Sequence, residues 1–321
     1  MVAAVSANCA IGVDVGGTKL VVGLIDDELG VHHRIQQPSD SLDGGQLLDQ
    51  LVEMVEEAAA SASSEVLGVG FGAAGIFDDR SGLIAASPHL PLAGLPFQAL
   101  MAERLELPVV VDNDANCAML AEWRHGAAQG LRDAVMLTVG TGIGGGMVVN
   151  GELVHGSSGG GAEFGHMVIE FDGQQCECGG RGHFEWYASG DAIGRAGELA
   201  AKENPDSALG LASAAGRPIT GSLVTEMAHD GDSAAIESIW VVGQRLGEGM
   251  VSIANIFNPE MIVIGGGAVA AGDLLLGPAR EVVARDSLAS LGDKVSIVPA
   301  KFGADASMIG AAIMAFEQLS G

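Results

Sequence analysis

Positive charge is scarce in this chain. Its 321 residues hold 15 Lys and Arg against 41 Asp and Glu, a net charge of −26. Only four of the basic residues are Lys. Binding nucleic acid across a whole face needs the opposite balance. Adhesion to an anionic membrane is disfavoured for the same reason. Cysteine is sparse too: four thiols, two of them in Cys176-Glu177-Cys178, are too few for a secreted disulfide scaffold. No basic residue precedes Lys19, so the apolar start lacks the positive segment of a secretory signal. Clean apolar runs of membrane length are missing. The uncharged stretch Ser81–Ala102 is cut by Pro88, Pro91 and Pro96. Ala134–Gly151 contains a Gly-rich centre that is poor helix material and reads as two strands around a turn. The expected location is cytoplasmic, with no nucleic-acid or membrane partner.

Apolar residues make up 48% of the chain and charged ones 17%, which excludes disorder as the main state. The length suggests two domains or one large one. Glycine is abundant, 49 residues, which suits tight turns and close backbone approaches to a ligand.

The pattern along the chain is α/β. Apolar runs Cys9–Val13 and Leu20–Ile25 flank Asp14-Val15-Gly16-Gly17-Thr18-Lys19, a hairpin with a Gly-rich turn. Gln46–Ala60 has helical spacing, Val66–Phe71 is a strand closed by Gly72–Gly75, and Leu107–Val111 is a strand leading to a helix at Ala115–Trp123. The unit then recurs. Ala134–Val139 and Gly146–Val149 flank a second Gly-rich turn, and Asn150-Gly151 turns the chain into Glu152–Val154. Ser238–Phe257 reads as a long helix, core or a dimer contact, with Gly243, Gly247 and Gly249 speaking against it. Met261–Ile264 is a buried strand, Gly265–Gly267 opens the next helix, Val295–Pro299 is a last strand and Ser307–Leu319 a closing helix. Two strand–turn–strand units, each followed by α/β alternation, predict two similar α/β halves with a cleft between them.

Glycine turns can ring a phosphate with backbone N–H groups. A single such turn is more often a plain tight turn. Here there are three, at 16–17, 140–146 and 265–267, and the first carries Asp14 before it and Lys19 after it. Neither the P-loop pattern nor a dinucleotide fingerprint is present. Asp112-Asn113-Asp114 stands where a strand meets a helix. A carboxylate there can take a proton from a hydroxyl, and the same residues can cap a helix. Spacing alone leaves the two readings open. His166, Cys176, Cys178 and His183 are four candidate ligands within 18 positions, which suits a closed structural Zn²⁺ site. Cys9 and Cys117 read as buried small hydrophobes.

Asp14–Lys19 resembles the first phosphate loop of the actin-like ATPase and sugar-kinase superfamily, Gly140–Gly146 its second, and Gly265–Gly267 its turn near the adenosine. With the His/Cys cluster, the chain resembles the ROK family over nearly its whole length, and within it the bacterial glucokinases. Glu122-Trp123 through Tyr187-Ala188-Ser189-Gly190 looks most like the glucokinases. The family's repressors carry an added N-terminal DNA-binding domain, for which a first loop at residue 14 is expected to leave no room.

The resemblance implies a fold of two actin-like, ribonuclease-H-like α/β domains, divided as 1–115 plus 307–321 and 116–306. It implies ATP-dependent phosphorylation of glucose, with Asp114 as general base. Asn113, Asp114, Glu163, His166, Glu185 and Gly75 would hold the sugar. Asp14, Gly16, Gly17, Thr18, Lys19, Gly140, Thr141, Gly142, Gly144, Gly265 and Gly266 would hold the nucleotide, Asp14 orienting Mg²⁺ through water. The family's zinc motif has a Cys where this chain has His183, so the implied set is His166, Cys176, Cys178 and His183. His89 reads as a surface residue, and a homodimer or higher oligomer is expected. Other readings are a kinase for another sugar (N-acetylmannosamine, mannose, fructose or allose), one using polyphosphate, and a non-catalytic sugar sensor.

Overall fold

The computed structural model describes residues 8–39, 42–78, 82–87, 90–292 and 294–319. His89 lies outside them. The first half runs β1 (Cys9–Val15), β2 (Lys19–Asp26), β3 (Val31–Pro38), α1 (Gly44–Ala60), β4 (Val66–Ala73), β5 (Ile76–Asp78), β6 (Leu83–Ala86), α2 (Phe97–Leu105), β7 (Val109–Asn113) and α3 (Asp114–His125). The second runs β8 (Ala134–Val139), β9 (Ile143–Val149), β10 (Glu152–Leu153), α4 (Phe184–Ala188), α5 (Gly190–Glu203), α6 (Ala208–Ala214), α7 (Gly221–His229), α8 (Ser233–Phe257), β11 (Met261–Gly265), α9 (Asp273–Asp286), β12 (Ser296–Pro299) and α10 (Ala306–Leu319).

The two sheets repeat one plan. The first has order β3-β2-β1-β4-β7, the second β10-β9-β8-β11-β12. In each, the first three strands are antiparallel and the last three parallel. The two hairpin turns therefore occupy equivalent places. So do the glycines after β4 and after β11.

Local chemistry sets the elements. Asp43 and Gln46 close a reciprocal capping box at the start of α1. Asp232 caps α8, and Asn258 in a left-handed conformation ends it before Pro259. The glycines inside α8 are contact points. A Cβ on Gly247 would fall 2.6 Å from Val282 of α9, and one on Gly243 2.6 Å from Pro278. The helices approach so closely that side chains are excluded there.

Three expectations change. β9 begins at Ile143, so Gly144 lies in a strand, paired with Thr138, and is not in the turn. A Cβ on Gly144 would stand 3.2 Å from Ala115 Cβ, so its small size lets α3 cross the sheet. The third turn opens a short 3₁₀ segment, Gly267–Ala271, and the helix proper starts only at Asp273. β3 was not expected. It is an edge strand whose residues are mostly exposed or half-buried, so it carries no apolar alternation.

The chain passes between the sheets twice, after α3 and before α10. Glu122 of α3, fully buried, joins the two passages. Its Oε2 accepts the Ala127 N–H at 2.8 Å and its Oε1 the Phe302 N–H at 2.8 Å. α3 and α10 pack on one another through Cys117, Leu120, Ala121, Ile309 and Ile313. The opposite face of α3, with Ala118 and Met119, packs on the second sheet.

Candidate active site

The corner between β7 and α3 carries the central carboxylate. Asn113 is the N-cap of α3: its Oδ1 accepts the N–H groups of Ala115 at 2.8 Å and Asn116 at 3.1 Å. Its Nδ2 donates to Gly75 O at 3.1 Å. The capping reading therefore holds for Asn113, and the amide nitrogen keeps a second N–H for another acceptor. Asp114 is the first helical residue, at the positive end of α3. Its charge reaches both Asp14 and Glu163.

Asp14, next to the end of its buried strand, lies within reach of the Asp114 charge. Burial, with the Asp114 charge beside it, pushes its carboxyl up to about 7, and Lys19 acts against this. Gathered carboxylates of this kind fit a divalent cation, whose charge would relieve their repulsion. In the first turn Gly16 donates its N–H to Lys19 O at 3.0 Å, and Ser39 Oγ donates to Gly16 O at 2.7 Å. In the second, Gly140 donates to Gly142 O at 3.0 Å and accepts the Gly190 N–H at 2.7 Å. Among the described residues no backbone carbonyl takes the amides of Gly17, Thr18 or Thr141. Gly266, at φ 83°, lies so close to Val139 that only glycine fits.

Glu163, His166 and Glu185 converge from the second half. Burial raises the Glu163 carboxyl, His166 lowers it, and the Asp114 and Glu185 charges raise it further. Glu185 stands between two features. Its Oε1 accepts from Cys176 Sγ at 3.0 Å, and a Cβ on Gly142 would lie 2.5 Å from its Oε2.

The His/Cys cluster is assembled as expected. One ligand atom from each of His166, Cys176, Cys178 and His183 lies within 4.8 Å of all the others. His166 Nδ1 and Cys178 Sγ are each 3.3 Å from His183 Nδ1. Tetrahedral bonds of about 2.0–2.3 Å put ligand atoms at roughly such separations, so this set fits zinc. The other nitrogen of His166 is 4.0 Å from Glu163 Oε2, so the ring faces the cluster and Glu185 with one side and Glu163 with the other. Burial pushes the Cys176 thiol up to about 12, with its S–H given to Glu185. A bound metal would take that sulfur as thiolate.

The sequence pattern of the ROK family matches residues 10–318. The chain belongs to the ROK family. A glucokinase of Streptomyces coelicolor is 34% identical over 313 residues, 96% of this ROK chain and 97% of its own length. A solved ROK glucokinase from Streptomyces griseus, bound to glucose and AMPPNP, is 33% identical with a TM-score of 0.88, covering 96% of this chain and 99% of that one. A xylose repressor of Caldicellulosiruptor bescii is 32% identical over 74% of this chain and 59% of its own. The fold is accordingly the ROK glucokinase fold, two actin-like α/β halves.

Two features of this ROK chain were not read from its sequence. Asp112, left without a role, is buried and takes three bonds: from Asn113 N–H at 2.7 Å, Asn116 Nδ2 at 2.9 Å and His155 Nε2 at 2.7 Å. Glu122, taken only as part of a glucokinase-like stretch, links the two chain passages. Cys117 is buried as expected, and its thiol is pushed well up by burial and by Asp112, Asp114 and Asp14.

Proposed function

We propose that this ROK chain transfers the γ-phosphoryl group of ATP to the 6-hydroxyl of glucose. The observation that carries this is that Asp114, at the positive end of α3, acts by its charge on both Asp14 and Glu163. The charge of one helix-end carboxylate is thus felt both by the residue proposed for the cation and by one proposed for the sugar. The glucokinase identities and the match to a glucose- and AMPPNP-bound relative support it.

Asp114 accepts the proton of the hydroxyl as it attacks. Asn113, Glu163, His166, Glu185 and the backbone at Gly75 hold the sugar. Amides of the turns at Gly16, Gly17, Thr18, Gly140, Thr141 and Gly142, with Lys19, hold the phosphates where charge develops. Gly265 and Gly266 bring backbone to the adenosine. Mg²⁺, when bound near Asp14, supplies charge neutralisation to the transferring phosphoryl group. His166, Cys176, Cys178 and His183 would hold a zinc ion that would orient the sugar loop and take no part in bond making. Two parts, divided as 1–115 with 307–321 and 116–306, close over the substrates and exclude water as acceptor. We further propose a cytoplasmic homodimer, supported by the family resemblance.

The test is ADP release from Mg-ATP with glucose, mannose, fructose and N-acetylmannosamine, each against a blank without sugar. Glucose should give the fastest rate. Asp114→Asn should bind glucose and lose about 10²–10⁴-fold in turnover. Substantial residual activity in that variant would refute Asp114 as base. The repressor relative favours a second reading, a sensor that binds sugar without turnover. Glucose binding with no ADP release in the wild type would select it.

A further inference from the structure

Asp112 sits one residue before the base corner and bonds to a residue 43 positions away, His155. Its Oδ1 holds the corner itself, through the Asn113 N–H and the Asn116 side chain. Its Oδ2 faces His155, at the start of the segment that leads to Glu163 and His166. The His155 carbonyl in turn accepts the Gly161 N–H at 2.8 Å, closing that segment into a loop. The loop leans on the first half: a Cβ on Gly160 would lie 3.5 Å from Ile76. One carboxylate thus fixes both the base from the first half and the root of the sugar loop from the second.

We propose that Asp112 and His155 form a strut that sets the distance between Asp114 and the sugar-holding residues Glu163 and His166. Both are positioning residues; neither is placed to touch a reacting atom. A carboxylate has acceptors only, so the imidazole Nε2–H donates across the strut. Asp112 already takes two other bonds, so its orientation is set before His155 reaches it. A charge-assisted bond to a preset acceptor holds geometry better than a contact between mobile groups. The strut is read on the sugar side, because the segment that His155 opens leads to Glu163 and His166. The inference rests on the kinase reading.

The experiment uses the full chain with His155→Ala and His155→Gln. The His155 side chain is 33% exposed, so its truncation opens no closed core cavity. Gln can place a donor near the position of Nε2. His155→Ala should raise the glucose KM about 10- to 100-fold, the scale of a small misplacement, and leave the ATP KM unchanged. His155→Gln should return most of the loss. Amide exchange at Gly161 should quicken in His155→Ala and slow again in His155→Gln. An unchanged glucose KM, a parallel rise in both KM values, or no recovery with Gln would overturn the strut. If the wild type itself turns over no sugar, the kinase reading fails separately. Exchange at Gly161 then decides the strut alone: faster in Ala and restored in Gln supports it, and no change overturns it.

Discussion

A carboxyl raised to about 7 is held more tightly protonated in the folded chain than in the unfolded one. For Asp14 the stability from this group is full at low pH. It declines as pH rises from the ordinary 3.8 through about 7. Asp14→Asn keeps the shape and removes the titration. It should melt several degrees above the wild type at pH 8, the gap closing toward pH 4, while turnover is lost. Calorimetry at both pH values checks the sign; a variant less stable than wild type at pH 8 would contradict the assignment. Asp14, Lys19, Asn113 and Asp114 were legible because each sits in a short run where strand, turn and charge coincide. Asp112 was not, since its partner His155 lies far off in the chain and no local pattern joins them. Gly144 is ambiguous in sequence for a related reason. A glycine required by a crossing helix looks the same in sequence as one required by a phosphate.

The zinc loop and α3 are the elements that matter most. Four ligands within 18 residues, already gathered, should hold one zinc per chain. Elemental analysis should find it, and a chelator should lower the melting temperature and raise the glucose KM while sparing the ATP KM. His183→Ala should bind zinc more weakly, with three protein ligands in place of four. On α3, Glu122→Ala strands the N–H groups of Ala127 and Phe302. The cost should be about 2–5 kcal/mol, and Glu122→Gln, which keeps one acceptor, should lose less. Urea unfolding of the three proteins checks the order. α8 was legible despite its glycines, since a strong apolar stripe survives them. The short helices α6 and α7 and the edge strand β3 were not, because pieces of seven to nine residues or exposed surfaces leave little periodic signal.

At the scale of the whole molecule, the doubled plan could be read early because a Gly turn between two strands occurs twice. The sharing of α3 between both halves could not. Its two faces differ by which sheet they meet, not by hydrophobicity. The net charge of −26 acts on the folded molecule as self-repulsion. Salt shortens its reach from roughly 30 Å at 0.01 M to about 10 Å at 0.1 M. The melting temperature should therefore rise between 10 mM and 200 mM NaCl. A flat or falling series would mean that the surface charges are already balanced locally.

The two chain passages end on opposite oxygens of one side chain. Neither passage can leave that carboxylate without stranding a buried backbone N–H and one carboxylate oxygen together. The two crossings are therefore held in step: a change that pulls one of them away is felt at the other through a single side chain.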